Sequence, residues 1–476
     1  MRLAALFLVC LTVRGQDADL TLRTMVAFTA MRNTVPLSDE KRDEIATISQ
    51  QAQAATREKN FAEALRQYAH GFAIMRGDPW SPENELAAAL QATVDDAVAD
   101  RGQQLKLNFS ALYKNSRPAT AKARVVLRSV APGVPPIPLK EEINIDSEKL
   151  PLAIPIQIPA ETLGNYEIVA TLGESRNPAL RKAIPIHVEN LTAAAAKLKA
   201  RLAAQPFPTA EYALKNYELA EESKTHPHRT DFARSFEEAN TLLDIAAGGK
   251  DPFEGRTGGL RKAYRSKVDQ TLQPYRLFIP ANYTKAKPSP LVIALHGMGG
   301  NENSMLDGYN DGALKVEAEK HGFIVACPKG REPASMYRGA AETDVLDVLA
   351  EVRREYNVDP RRIYLMGHSM GAYGTWSIAM AHPEIFAALG PISGGGDPSG
   401  MAKLKDIPQY VVHGDDDRTV PVSQSRRMVE AGKKAGAKIQ YIEVPGGSHV
   451  NIAVPNFAPM FAFFAAQSRQ RVEGAK

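Results

Sequence analysis

From about residue 275 to the C-terminal end, short apolar runs alternate with segments of helical period. The runs are "YRLFIP", "LVIALHG", "FIVACP", "RIYLMG", "AALGPIS", "YVVHG" and "IQYIEV". Between most of them lie patterns such as "AAETDVLDVLAEVRREY" and "SQSRRMVEAGKKAG", with apolar residues at three- and four-residue steps. The runs are apolar almost throughout instead of at every second residue. A strand of that kind is buried on both faces, and the alternating helices supply the cover. The expectation is an α/β domain over residues 250–470, with a mostly parallel sheet and helices on both sides.

The rest of the 476-residue chain is long enough for further domains. Residues 37–98 read as helical. Within them "KNFAEALRQYAHGFAI" resembles the second helix of a tetratricopeptide repeat, at Phe61, Ala64, Tyr68 and Gly71. One hairpin is too little for a solenoid, which needs about three repeats to bury a core. Over residues 102–190 the texture changes to short, partly alternating runs: "LKLNFSALY", "ARVVLRSV", "LPLAIPIQIP", "NYEIVATLG" and "KAIPIHVEN". Pro, Gly, Asn and Ser separate them, which predicts a small β-sandwich, immunoglobulin-like in outline. Helical sequence returns over 191–247, and "AAGGKDPFEGRTGG" reads as a linker into the last domain.

At the N-terminus Arg2 precedes an apolar run from Leu3 to Val13, then Arg14-Gly15. About eleven residues are too few to cross a bilayer, which takes roughly twenty. The pattern fits a secretory signal over residues 1–15, so the expected location is secreted or periplasmic, with no transmembrane anchor. A lipoprotein reading at Cys10 is disfavoured by Val9, where a small residue is wanted. Without the signal only Cys327 remains, so the mature chain has no intrachain disulfide. The net charge of +4 is spread along the length without basic blocks, and nucleic acid is not an expected partner.

The run Ile363-Tyr364-Leu365-Met366 ends in Gly367-His368-Ser369-Met370-Gly371, and small and apolar residues at helical spacing follow. A G-x-S-x-G pattern arises by chance in roughly one chain of this length in ten, so its placement decides. Here it stands between a strand and a helix, where a strained elbow thrusts out a hydroxyl and glycines make room for the turn. A serine needs a base to become a nucleophile. His449 follows the last strand in "IQYIEVPGGSHV", and "YVVHGDDDRTVP" sets Asp415, Asp416 and Asp417 after the strand before it. Both lie where ligands bind in open α/β sheets. His368, His382 and His413 read as structural, and any of the three aspartates serves as the acid. The glycine-rich end of "LVIALHGMGG" brings the N–H of Met298, with that of Met370, to an oxyanion. Tyr337 and Arg338, in the polar loop "GREPASMYRGA", are candidates to line the pocket, and Trp376 is expected in the core.

Residues 272–468 resemble the α/β-hydrolase superfamily, in the esterase and predicted-peptidase branch near the prolyl oligopeptidase-like hydrolases. The matching pieces are "PYRLFIPANYTKAKPSPLVIALHGMGG", "VDPRRIYLMGHSMGAYGTW", "YVVHGDDDRTVP" and "PGGSH". The family's His-Gly-x-x-Asp-x-x-Val-Pro pattern falls on His413 to Pro421 and selects Asp417. The resemblance implies a catalytic triad of Ser369, Asp417 and His449, no cofactor or metal, and a small-molecule or polymer-linked ester as substrate. Some members of the branch carry an immunoglobulin-like domain ahead of the hydrolase domain. Feruloyl esterases and polyester depolymerases of related outline usually carry other residues around the serine, so their substrates are not implied. Two alternatives stand beside an esterase: a serine peptidase, and a binding protein with a relic hydrolase domain. Prolyl oligopeptidases gate their serine with a propeller whose blades need about 40 to 50 residues each and recur visibly, and no such repeat precedes residue 250. A relic usually lacks its Ser or His; here both are present.

Overall fold

A computed structural model of the chain describes residues 18, 20–172, 181–332 and 334–469. The expected signal at residues 1–15 lies outside them. The chain divides into two compact units, Met1–Ala204 with Ala213–Asn240, and Gln205–Tyr212 with Thr241–Lys476.

The first unit begins with helices α1 (20–34), α2 (Asp39–Arg57), α3 (Phe61–Arg76) and α4 (Pro82–Ala89). Each of the last three starts at a polar cap: Ser38, Asn60 and Ser81 accept hydrogen bonds from the N–H groups of Lys41, Glu63 and Asn84. Such caps satisfy donors that a helix start leaves free, at about 1 kcal/mol each. Phe28, Ile45, Ala52, Tyr68 and Met75 bury one cluster among these helices.

Strands follow: β1 (Leu90–Val94), β2 (Val98–Ala99), β3 (Gln104–Ala111), β4 (Thr120–Ser129), β5 (Ile137–Asp146), β6 (Leu152–Gln157), β7 (Gly164–Leu172) and β8 (Arg181–Val188). They form a three-stranded sheet, β1-β3-β6, and a five-stranded sheet, β2-β8-β7-β4-β5. One apolar cluster draws on both sheets, with Leu107 and Phe109 from β3, Val125 and Leu127 from β4, and Ile184 and Ile186 from β8. The expectation of helix up to residue 98 is corrected here, because strand begins at Leu90. The segment "LQATV" is short and alanine-bearing, but it pairs antiparallel with β3 from Leu90↔Ala111 to Val94↔Leu107. Tertiary pairing outweighs local helical preference.

Helices α5 (Thr192–Ala204), α6 (Pro208–Glu221) and α7 (Phe232–Ala247) come next, and the division between the units falls within α6 and α7.

The second unit holds β9 (Gly258–Arg265), β10 (Leu272–Ile279), β11 (Ser289–Leu295), β12 (Ile324–Pro328), β13 (Val358–His368), β14 (Ala388–Ile392), β15 (Gln409–Gly414) and β16 (Ile439–Val444). They make one sheet in the order β16-β15-β14-β13-β11-β12-β10-β9, parallel from β11 to β16 and antiparallel at β9 and β10. The sequence reading assigned no strand to β9, "GGLRKAYR", and its first two residues closed the expected linker. Its cations carry no apolar signal, yet Lys262 pairs with Glu355 and Arg265 with Glu211.

The chain order fits the physics of a strand buried on both faces. Along β11, Leu291, Ile293 and Leu295 belong to one core while Val292 and Ala294 belong to the other. The same split recurs at Ile363 and Leu365 against Tyr364 and Met366 in β13. Helices α9 (Ala340–Glu355), α10 (Met370–Ala381) and α11 (Ser423–Lys434) supply Val345, Trp376 and Met428 to the first face. Helices α8 (Ala313–His321) and α12 (Phe457–Ala465) supply Leu314 and Phe461 to the second. Trp376 lies in the core and donates from Nε1 to Gln409 Oε1 at 2.9 Å. Cys327 is buried in the second face, where desolvation pushes its thiol up to about 12. No helix of the described residues is long and apolar enough to cross a membrane.

Candidate active site

Strand β13 ends at His368 and α10 begins at Met370, leaving Ser369 alone at the corner with φ 56° and ψ −118°. A side chain other than glycine in such a backbone is strained by about 1–3 kcal/mol, so the surroundings must hold it. Its N–H donates to the Ile392 carbonyl at 2.9 Å. The flanking glycines have steric reasons. A Cβ at Gly367 would stand 2.3 Å from the Gly371 carbonyl oxygen, and a Cβ at Gly371 would stand 2.1 Å from that of Leu295. Neither position admits a side chain unless backbone moves.

The three aspartates after β15 separate cleanly. Asp415 accepts from the Gly446 N–H at 2.6 Å and so ties its loop to the one that follows β16. Asp416 is exposed and pairs with Arg418 at 3.2 Å. Asp417 turns inward, its carboxylate wholly buried. Its Oδ1 accepts from the N–H groups of Thr419 at 2.9 Å and Val420 at 2.8 Å. Its Oδ2 lies 2.7 Å from His449 Nδ1 and 3.2 Å from His413 Nε2. Burial alone would raise this carboxyl; the His413 and His449 contacts and the Val420 N–H outweigh it and hold the group well below the usual carboxylate range.

His449 therefore donates from Nδ1 to an ionised carboxylate, which leaves Nε2 as an acceptor. That nitrogen lies 2.9 Å from Ser369 Oγ. The histidine is fixed from behind as well, since its own carbonyl accepts from His368 Nε2 at 2.7 Å and from Ser393 Oγ at 3.0 Å. With Nε2 of His368 donating, its Nδ1 accepts from the Tyr309 hydroxyl at 2.6 Å. Burial pushes the His368 imidazole down to about 4, which keeps it neutral for this role. Ser393 and Tyr309 were missed in the sequence. They lie 56 and 59 residues from the groups they touch, and nothing local to either marks it.

The turn after β11 abuts the serine: a Cβ at Gly297 would lie 3.3 Å from Ser369 Cβ. Met298 is the next residue, its side chain 43% exposed. Met370 opens α10, where a backbone N–H has no acceptor within the helix. Behind the turn, the His296 N–H donates to the Tyr337 hydroxyl at 2.9 Å, and His296 Nε2 lies 2.6 Å from the Lys329 carbonyl oxygen. Tyr337 is thus fully buried, and its place as a pocket-lining candidate is corrected: it props the turn from inside. Arg338 is exposed. Among the described residues no group of three or more His, Cys, Asp or Glu is arranged to hold a metal ion.

Residues 273–440 match a family model described as "Putative esterase". A bifunctional acetylxylan esterase/xylanase of Neocallimastix patriciarum is 30% identical over 151 residues, 31% of this chain and 22% of that protein. A probable feruloyl esterase C of Aspergillus flavus is 28% identical over 185 residues, 37% of this chain and 68% of that one. A crystal structure of a thermostable esterase is 19% identical and covers 80% of this chain and 100% of its own, with a TM-score of 0.42. The chain spans about a fifth of the first relative and about two thirds of the second. What it resembles is a serine hydrolase of the α/β-hydrolase superfamily, on the esterase side.

Proposed function

We propose that the chain is a serine hydrolase that cleaves carboxylic esters through an acyl-enzyme. Ser369 is the nucleophile, His449 the base, Asp417 its orienting partner, and the N–H groups of Met298 and Met370 the oxyanion donors. The observation that carries this reading is the unbroken line from Ser369 Oγ through His449 to Asp417, at 2.9 and 2.7 Å, ending on a buried carboxylate. As Oγ adds to the ester carbonyl carbon, its proton passes to His449 Nε2 and the carbonyl electrons move onto oxygen, toward the two N–H groups. The intermediate collapses, the bond to the alkoxy group breaks, and that oxygen leaves with the proton from Nε2. Water then repeats the sequence at the acyl carbon and frees the acid. Asp417 remains ionised throughout and stabilises the imidazolium formed in each half.

The substrate is an ester of a small carboxylic acid, free or carried on a polymer. The names of the relatives, acetylxylan esterase and feruloyl esterase, favour this over a peptide. Short-chain acyl esters should exceed matched anilides at least tenfold in kcat/KM, a margin of roughly 1.4 kcal/mol in transition-state stabilisation. A preference for the anilide moves the protein to the peptidases. The regions around this domain take the reading their sequences support, with the one correction that strand begins at Leu90: helices from 37 up to Ala89 and over 191–247, an immunoglobulin-like sandwich over 102–190 that β1 and β2 extend back to Leu90, and the hydrolase domain over 250–470. Residues 1–15 act as a cleaved signal, so the enzyme works outside the cytoplasm. N-terminal sequencing of the exported protein should begin at Gln16, and an intact Met1 would refute this last point.

A further inference from the structure

His413 has no assigned part in the chemistry, yet it is one of the most completely enclosed side chains in the unit, with no exposed surface. It is the last residue but one of β15, followed by Gly414 and the turn that carries the aspartates. Its Nε2 is 2.9 Å from the Val420 carbonyl oxygen and 3.2 Å from Asp417 Oδ2. Both are acceptors only, so Nε2 must carry a hydrogen, and that hydrogen is shared between them with the carbonyl as the nearer partner. Its Nδ1 lies 2.7 Å from the buried Ser425 Oγ on α11. One imidazole therefore grips both ends of the turn from Asp417 to Val420. One carboxylate oxygen, Oδ2, faces two imidazoles at once.

We infer that His413 is a positioning residue for the relay, holding the Asp417 carboxylate in the orientation that meets His449 and moderating its pull on the His449 proton. The inference rests on the esterase reading above. Without the His413 contact, Oδ2 has one donor fewer and is a stronger base toward His449, while Oδ1 stays held by the Thr419 and Val420 N–H groups. The groups that face His413 are few. Asp417 and Val420 come from its own turn, Ser425 from α11, and Glu443 stands opposite in the β16 register. Glu443 is itself paired with Arg426. His449 lies beyond Asp417, with its ring beside that of His368 at 4.9 Å.

Two amide replacements separate this role from simple packing. In His413→Gln the side-chain nitrogen reaches the place of Nε2 and keeps a donor for Asp417. In His413→Asn it reaches only the place of Nδ1, next to Ser425. Wild-type activity and labelling by a fluorophosphonate come first, because their absence defeats the esterase reading itself, whatever His413 does. With wild type active, His413→Gln should keep kcat/KM within about threefold, while His413→Asn should lower kcat about tenfold or more at unchanged KM. The acid limb of the kcat/KM profile should also move to higher pH in His413→Asn alone, since a less shared carboxylate holds the His449 proton more tightly. Equal kcat and equal acid limbs in the two variants overturn the inference, however much either loses in stability. A second measurement needs no variant. The His413 ring-proton signal of the wild-type enzyme should shift through the same midpoint as the acid limb, and a signal that stays flat there overturns the inference as well.

Discussion

The strands of the two units meet water in opposite ways. In β4 of the first unit, Ala123, Val125 and Leu127 are buried while Lys122 and Arg124, on either side of Ala123, are exposed. In β11 of the second unit every residue is buried. The connections differ accordingly. Antiparallel neighbours such as β4 and β7 run in opposite senses, so their C-terminal ends lie at opposite edges of the sheet. From β11 to β16 all strands run one way, and the residues that follow β11, β13, β15 and β16 share one edge. Gly297, Ser369, Asp417 and His449 are those residues. Parallel order turns four distant stretches of sequence into one cluster, and antiparallel order spreads its turns out. Under the proposed reading the chemistry collects at the first kind of edge, where ligands bind in open α/β sheets.

This contrast can be broken by mutation. At the parallel edge, Ser369→Ala should cost several orders of magnitude in kcat and abolish fluorophosphonate labelling, with thermal stability nearly unchanged. Asp417→Asn should follow at about 10³- to 10⁴-fold, by favouring the wrong imidazole tautomer, while Asp416→Asn stays within about twofold. Equal losses at the two aspartates would show that the edge is not organised around one buried carboxylate. In the antiparallel core the sign of the readout reverses. Phe109→Ala, which empties a fully buried site, should lower unfolding free energy by about 3–5 kcal/mol and leave kcat per folded molecule alone. Denaturant melts paired with active-site titration check it; a large fall in kcat would mean that the two regions are not separable in this way.

The smallest effect concerns pH. His368 sits at about 4 in the folded protein against about 6.5 for an unperturbed imidazole, so the unfolded chain binds its proton first. Its stabilising contribution is complete above about pH 6.5 and is lost progressively as pH falls toward 4, at no more than about 1.4 kcal/mol per pH unit. The group is almost wholly buried, so little of this is screened. Asp417, depressed as well, adds its loss only at lower pH. Urea midpoints measured from pH 7 to 4 should decline in wild type and more gently in His368→Gln. Parallel curves would remove His368 from the account.

What the sequence disclosed about this site follows the same division. Ser369 and His449 were legible because each follows an apolar run at a strand end, and the elbow needs glycine on both sides. The choice among Asp415, Asp416 and Asp417 was not legible from composition, since three identical side chains differ only in which way the loop turns them. The family pattern selected Asp417, and Asp417 is the one buried against His449. The contacts of Tyr309 and Ser393 are formed by tertiary packing, across separations of 59 and 56 residues that carry no period, whereas His413 meets Asp417 and Val420 within its own turn. Strand β9 was silent for a different reason: at the sheet's rim its Lys262 and Arg265 are matched by carboxylates, so it has no need of an apolar run.

The close approach of Gly371 to the Leu295 carbonyl has a consequence for heat. Backbone touching backbone leaves no flexible side chain between the first turn of α10 and the end of β11, so neither has slack to take up. As temperature rises and side chains elsewhere sample more rotamers, the first turn of α10 and the end of β11 should drift together, as parts of one rigid bracket. The spacing between them is a contact distance, and contact distances barely expand. Warming should therefore speed the reaction without blurring its geometry, until the sheet itself gives way.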